Sequence, residues 1–219
     1  MKLTGHILRR VGLIGVAVAL PVAWLIVTGL ASDAAGTRET VETVLRAESD
    51  QVTPVQDTFT HAVQAMQSAG SPPASYLADA AASLSRGAAP AAMPAQERDQ
   101  LLASGRAELA RYFTPAQAKR SETGLVNTVR AYADPNEVNL GAGVSRVAFV
   151  SVEVGPASAT VVADVTAWAK SQIRQPTSSR WLTANPTNTM RFNATLVRTD
   201  AGGWLVDSLV GDFLPGQGP

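Results

Sequence analysis

Hydrophobic and polar positions change their period twice along the chain. Residues 11–31, VGLIGVAVALPVAWLIVTGLA, have no polar face: 21 residues pass without a charge, and about 20 helical residues at 1.5 Å rise each cross a bilayer core. Further on, Val41, Leu45, Glu48, Val52, Val55, Phe59, Ala62 and Met66 step by four and three, the spacing of a coiled-coil seam. Beyond residue 144 the period falls to two. Ala159, Val161, Ala163, Val165 and Ala167 alternate with polar residues such as Thr160, Asp164 and Thr166, the pattern of a half-buried strand.

The first segment predicts a membrane helix running from Val11 through Leu20 and Trp24 to Ala31. Lys2, Arg9 and Arg10 precede it and Asp33 is the first charge after it. The positive-inside rule then makes the amino terminus cytoplasmic and sends the rest of the chain outside. Pro21 is tolerable in a membrane helix. A cleaved signal peptide is the competing reading, because Gly29-Leu30-Ala31 is a small-x-small triplet; against it, a signal h-region is usually about 7–15 residues. Both readings export the chain beyond Ala31.

In the second segment Thr53-Pro54 reads as an N-cap followed by Pro at the first helical position. Two short helices are therefore expected. Their apolar faces either pair with a second copy, as a homo-oligomer through residues 41–66, or pack on their own domain. Residues 70–75 form a loop by their Gly and Pro content, a helix covers 76–85, and 86–94 reads as a linker of small residues and Pro. A domain boundary is expected near Ala95, with residues 96–219 able to fold alone.

Helices are predicted over 96–113 and 123–133, with Thr114-Pro115 as a cap and first turn between them. Strands follow over 144–154, 159–170, 189–199 and 204–210. Gly155-Pro156 and residues 200–203 supply turns, and residues 175–188, with Trp181, form a long loop. The expected organisation is a cytoplasmic flank (1–10), a transmembrane helix (11–31), a helical stalk and Ala/Pro-rich linker (32–95), an extracytoplasmic domain (96–214) and a tail (215–219). Helices followed by an antiparallel meander make that domain α+β, a curved sheet with its apolar face covered by helices.

Three stretches carry a resemblance: Arg111-Tyr112-Phe113-Thr114 ending a helix, Ala159-Thr-Val-Val-Ala-Asp-Val165 after a Gly-containing turn, and the closing Gly202-Gly-Trp-Leu-Val-Asp207. With one amino-terminal membrane helix, this order resembles the cystatin-like cone of the nuclear-transport-factor-2-like superfamily. Within it the chain is similar to the Mce-associated membrane proteins of actinobacteria and to the scaffold subunits of type IV secretion and conjugation machines. The resemblance covers residues 96–214. It implies a bitopic accessory or assembly subunit whose partners are other envelope proteins.

Composition narrows the chemistry. The chain has 219 residues, 18 Lys+Arg, 18 Asp+Glu and no Cys. Without the three basic residues of the flank, 15 basic residues face 18 acidic ones, a net charge of −3. Such a domain has no electrostatic pull toward nucleic acid, which binds basic stripes. Arg outnumbers Lys 15 to 3, the bias of a high-GC, actinobacterial coding sequence. Thiolate chemistry is excluded, and His6 and His61, the two histidines, both precede residue 96, so the Asp/His pair of enzymatic cones cannot form within the domain. No phosphate loop, nucleophile elbow or metal-spaced carboxylate set is present, and no cofactor is expected. The lipid bilayer is the expected partner of residues 11–31. A small-ligand-binding or enzymatic cone is the alternative function.

Candidate interaction residues are Asp164, Trp168 and Trp181. Asp164 falls mid-strand, with Glu153, Arg191, Asn193 and Asp207 as possible neighbours on the polar sheet face. That face reads either as a polar site or as a solvated outer surface. Trp168 falls on the polar side of its strand and Trp181 in the long loop; each reads as an interface anchor or as a seal on the core edge.

Overall fold

The fold follows from where the alternating strands can bury their apolar side. In a computed structural model, residues 34–175 and 180–217 are described, with the side chains of 34–49 outside the description. The chain divides into two compact units, Met1–Thr43 and Val44–Pro219, and the second holds the fold. Its helices are α1 (Ala34–Ser68, continuing from the first unit), α2 (Ala74–Ser85), α3 (Ala95–Tyr112) and α4 (Pro115–Ala131). Its strands are β1 (Glu137–Val154), β2 (Ser158–Arg174), β3 (Trp181–Ala184), β4 (Thr187–Arg198) and β5 (Trp204–Phe213). The expected membrane segment, with Val11, Leu20, Trp24 and Ala31, lies outside the described residues. Among those described, no helix is long and apolar enough to cross a membrane.

All strand pairings are antiparallel, in the order β1-β2-β4-β5. β1 pairs with β2 along nearly its whole length. β4 takes the other edge of β2 over residues 158–168 and β3 takes that edge over 171–174. Helices on one face of this sheet make the α+β fold that the periodicity predicts and the cone that the resemblance implies. β1 carries register shifts between Asn139/Gly141, Val144/Arg146 and Phe149/Ser151, and β5 one opposite Thr195/Leu196; such bulges bend a strand and increase its twist. Between α3 and α4, Phe113 makes a single parallel bridge to Val206, and Thr114 N donates to Val206 O at 3.0 Å.

The inner face is continuous. Ala159, Val161, Ala163 and Val165 on β2, Phe192, Ala194 and Leu196 on β4 and Val206 on β5 are buried with Leu109, Phe113, Leu125 and Val129 from the helices. The buried inward residues of β2 are Ala and Val only. The larger β4 side chains fill the space beside them.

Several expectations change. Pro54 does not start a second helix; α1 runs through it. Proline removes an N–H and crowds the preceding turn, and burial of Val55, Phe59, Ala62 and Val63, each fully inaccessible, outweighs that local cost, since tertiary packing supplies most helical stability in proteins. Second, the boundary near Ala95 does not divide the core. Val55, Phe59, Tyr76, Ala80 and Met93 belong to the same cluster as the sheet residues, and the Phe59 and Phe149 rings meet edge-on at 5.8 Å. Third, the seam positions Val55, Phe59 and Ala62 are spent on this core, so that part of residues 41–66 offers no face to a second copy. Fourth, α4 begins at Pro115 rather than 123, with Thr114 Oγ1 accepting from Gln117 N, and β1 begins seven residues before the expected Val144.

Tyr132 ties the amino-terminal helices to the rest. Its hydroxyl donates to Gly70 O at 2.7 Å, its carbonyl accepts from Met93 N at 3.0 Å, and its ring meets Tyr76 edge-on at 5.5 Å. Burial pushes its phenol well above the ordinary tyrosine range, with Tyr76 adding to the effect.

Candidate interaction face

The outward residues of the sheet line up in rows across the strands, spaced about 6.8 Å apart because alternate residues share a face. From one end the register gives Gly143–Trp168–Thr187, then Arg146–Thr166–Thr189, then Ala148–Asp164–Arg191–Asp212. Ser151–Val162–Asn193–Val210 and Glu153–Thr160–Thr195–Ser208 complete the face.

Asp164 and Arg191, cross-strand neighbours, form a bidentate pair: Arg191 Nε donates to Asp164 Oδ1 at 2.8 Å and Nη2 to Oδ2 at 2.9 Å. This planar fork is the strong geometry for a guanidinium and a carboxylate. The hydrogen bonds from Arg191, reinforced by its charge, hold the Asp164 carboxyl below the usual range, and the same contacts raise Arg191. Asp212 follows Arg191 in the row, so the cation stands between two acidic positions. Asn193 lies one row away and Glu153 two rows away. Asp207 is elsewhere: it is the bulged residue of β5, its carboxylate accepts from Thr114 Oγ1 at 2.9 Å and its carbonyl from Arg120 Nη2 at 2.7 Å. A period-two count fails there because a bulge turns one side chain out of the alternation.

Trp168 is half-buried on the outer face. A Cβ built on Gly143 would meet Trp168 Nε1 at 3.1 Å and two further indole atoms at 3.2 Å. The indole therefore lies against the bare backbone of β1, close enough that a Cβ at 143 would push it back by a few tenths of an ångström. Trp181 is not in an unstructured loop. It opens β3 opposite Arg174 and packs against the core cluster, and its indole Nε1 is buried without a hydrogen-bond partner among the described residues. Of the two tryptophans, Trp168 belongs to the outer face and Trp181 packs on the core.

The centre of the helix–sheet core is packed. Val161, Phe192 and Leu196 are buried at its centre, and Phe149 packs against them. Clefts among the described residues include one of 350 Å³ where α1, α4 and the sheet meet, lined by Gln67, Ser71, Thr128 and Asn139 among others, and one of 560 Å³ between α2, the segment 90–94 and the start of α3, with Asp79, Arg86 and Glu97 on its walls. Among the described residues, no group of three or more His, Asp or Glu side chains could hold a metal ion. His61 packs beside the Tyr112 ring at 5.7 Å.

What period-two counting does not reveal is the strand edges. Val150, Val210 and Phe213 are exposed on the two edge strands, and Ile173 and Leu182 face each other, exposed, where β2 meets β3. A charge inside an apolar run, as in Val-Gly-Asp-Phe, is the only sequence signal for the β5 edge.

No protein-family model matches the chain, and no curated protein does. Among solved structures, the chain is similar to the intermembrane space region of the chloroplast protein ARC6, at 15% identity over 50% of this chain and 77% of that one, with a TM-score of 0.37. It is similar to CagV, a VirB8 homolog of the T4SS from Helicobacter pylori strain 26695, at 11% identity over 74% of this chain and 98% of that one, TM-score 0.36. An Ntf2-like protein involved in plasmid conjugation is similar at 7% identity over 57% of this chain and 42% of that one, TM-score 0.28.

Proposed function

We propose that the protein is a non-enzymatic, membrane-anchored accessory or assembly subunit of a bacterial envelope complex. It acts outside the cytoplasm through protein–protein contacts made by the sheet's outer face and edges. One observation carries the reading: the cone centre is packed with Val161, Phe192 and Leu196, while large apolar side chains remain exposed at the strand edges and at the β2–β3 tip. A domain whose centre is packed and that leaves large apolar groups exposed has that surface available to other macromolecules. The uncharged segment 11–31 supports a retained anchor, and a transport complex or a secretion machine would both use such a subunit.

The test has two parts. A reporter active only outside the cytoplasm, fused after Pro219, is active, and the protein stays in membranes through a carbonate wash. Mild crosslinking in the native cell then recovers it with other envelope proteins. Release of a product starting near Ser32 would replace the anchor by a cleaved signal, and recovery of the chain with no other protein would remove the assembly role.

The second reading, a ligand-binding cone, rests on the 350 Å³ cleft with its four polar side chains, at the lower end of the range for small-molecule sites, about 300–1,000 Å³. Blocking it with Thr128→Trp would abolish ligand binding and leave crosslinking to envelope proteins unchanged.

A further inference from the structure

The two edge strands of the sheet are built differently. β1 is long, but its three register shifts fall between residues 139 and 151, and bulges of this kind disrupt an edge as a template for another strand. β5 has its one shift opposite Thr195/Leu196, and residues 208–213 run in unbroken register with β4. Toward its beginning the outer side of β5 is occupied, with Val206 O accepting from Thr114 N and Asp207 O from Arg120. Leu214 N turns inward to Thr189 O, so by alternation Ser208, Val210 and Asp212 direct their backbone groups to β4. Leu209, Gly211 and Phe213 direct theirs outward, where no described residue hydrogen-bonds to them. The stretch has no Pro or Lys, and Val210 and Phe213 are 57% and 46% exposed.

We propose that this edge pairs with the same edge of a second copy, antiparallel about a two-fold axis at Val210, joining the two sheets into one. This pairing does not depend on the assembly role. The chain's own pattern selects a second copy as the occupant. An antiparallel pair needs facing residues with the same backbone direction, which allows centres at 209, 210 or 211. A centre at 209 runs Phe213 into the partner's Phe113–Thr114 contact on Val206, and a centre at 211 opposes Val210 to Asp212. At 210 the sequence is self-complementary. Val210 meets Val210 of the second copy as a close, non-hydrogen-bonded pair, Leu209 faces Gly211 in hydrogen-bonded pairs on both sides, and Ser208 faces Asp212, hydroxyl to carboxylate, with no like charges opposed. Gly211 is itself required, since a Cβ there would approach the Phe192 ring to 2.5 Å.

The absence of cysteine makes the test clean. Val210→Cys in the full chain, oxidised in membranes, forms a disulfide-linked dimer, because the Cα atoms of a non-hydrogen-bonded pair lie about 4.5 Å apart, within disulfide reach. Val150→Cys, 55% exposed on the bulged edge, is the control and yields several-fold less dimer. Independently, Val210→Asp sets two carboxylates face to face and shifts the detergent-solubilised chain from dimer to monomer in sedimentation, with its thermal transition unchanged. Equal crosslinking at 150 and 210, a dimer unaffected by Val210→Asp, a wild-type chain monomeric at all concentrations, or crosslinking of Cys-substituted 210 to a different protein would each overturn the proposal. Co-purification with envelope proteins, measured separately, tells failure of this pairing from failure of the assembly role.

Discussion

Along β2 and β4, neighbouring residues live in opposite environments. Val161, Ala163, Phe192 and Ala194 are buried under four helices, while Thr160, Asp164, Arg191 and Asn193, one residue away, line an outer face of cross-strand rows and one ion pair. The backbone is the same on both sides, so the difference lies in what covers each face. The inner face draws its stability from helices reaching back to Val55, and the outer face from polar contacts such as the Asp164–Arg191 pair that water can replace. Interior packing is cooperative and intolerant of change; an exposed ion pair is worth little. The inner face therefore answers for the fold, and the outer face is free to serve contacts.

The sharpest way to break this contrast is to uncover the inner face. A fragment of residues 96–219 loses Val55, Phe59, Ala62, Val63, Tyr76 and Met93 from its core, and is expected to show no cooperative thermal transition by calorimetry. A transition within a few degrees of the full domain would return the boundary to Ala95 and make α1 and α2 dispensable.

Next in size is the paired comparison on β4. Leu196→Ala should cost about 2–5 kcal/mol through lost transfer energy and a cavity, whereas Thr195→Ala should stay within about 0.5 kcal/mol. Denaturant titration of both variants decides it, and similar values would mean that the register is shifted by one residue.

Tyr132→Phe removes the donor to the buried Gly70 carbonyl, and unsatisfied buried acceptors cost about 1–3 kcal/mol. The sign of the pH effect follows from the raised phenol: the folded state resists ionisation, so the stabilisation is complete below the ordinary tyrosine pKa, near 10, and declines as pH rises above it. Tyr132→Phe should flatten that alkaline decline in thermal melts at graded pH.

The smallest effect is expected at the Asp164–Arg191 pair. Asp164 is depressed, so its contribution is present above the ordinary carboxylate pKa and lost as pH falls through the lowered value. Arg191→Gln should weaken stability far less than Leu196→Ala, and the difference from wild type should shrink at high salt. If the face is used for contacts, the same variant reduces crosslinking to envelope partners.

Periodicity alone delivers most of the elements. The alternation in residues 159–167 and 190–196 identifies both central strands and their inner faces, because burial on one side imposes period two whatever covers it. It also brings Asp164 and Arg191 to the same face, and the register makes them neighbours. It misassigns Asp207, Trp181 and the start of β1, where bulges or a short pairing break the count. Pro54 misleads for another reason: a local signal for a helix start is overridden by four fully buried side chains just beyond it.

What the sequence by itself determined is therefore that helices precede a run of antiparallel strands, the apolar segment 11–31, the inner and outer sides of the long strands, and the absence of thiol chemistry; each depends on local pattern or residue type. Only the tertiary structure decided that α1 belongs to the core, that Trp168 lies against glycine while Trp181 is tucked against the interior, and that β5 rather than β1 leaves an unbroken edge. Those outcomes depend on which distant residues compete for the same volume and the same backbone groups, and no local pattern encodes that competition.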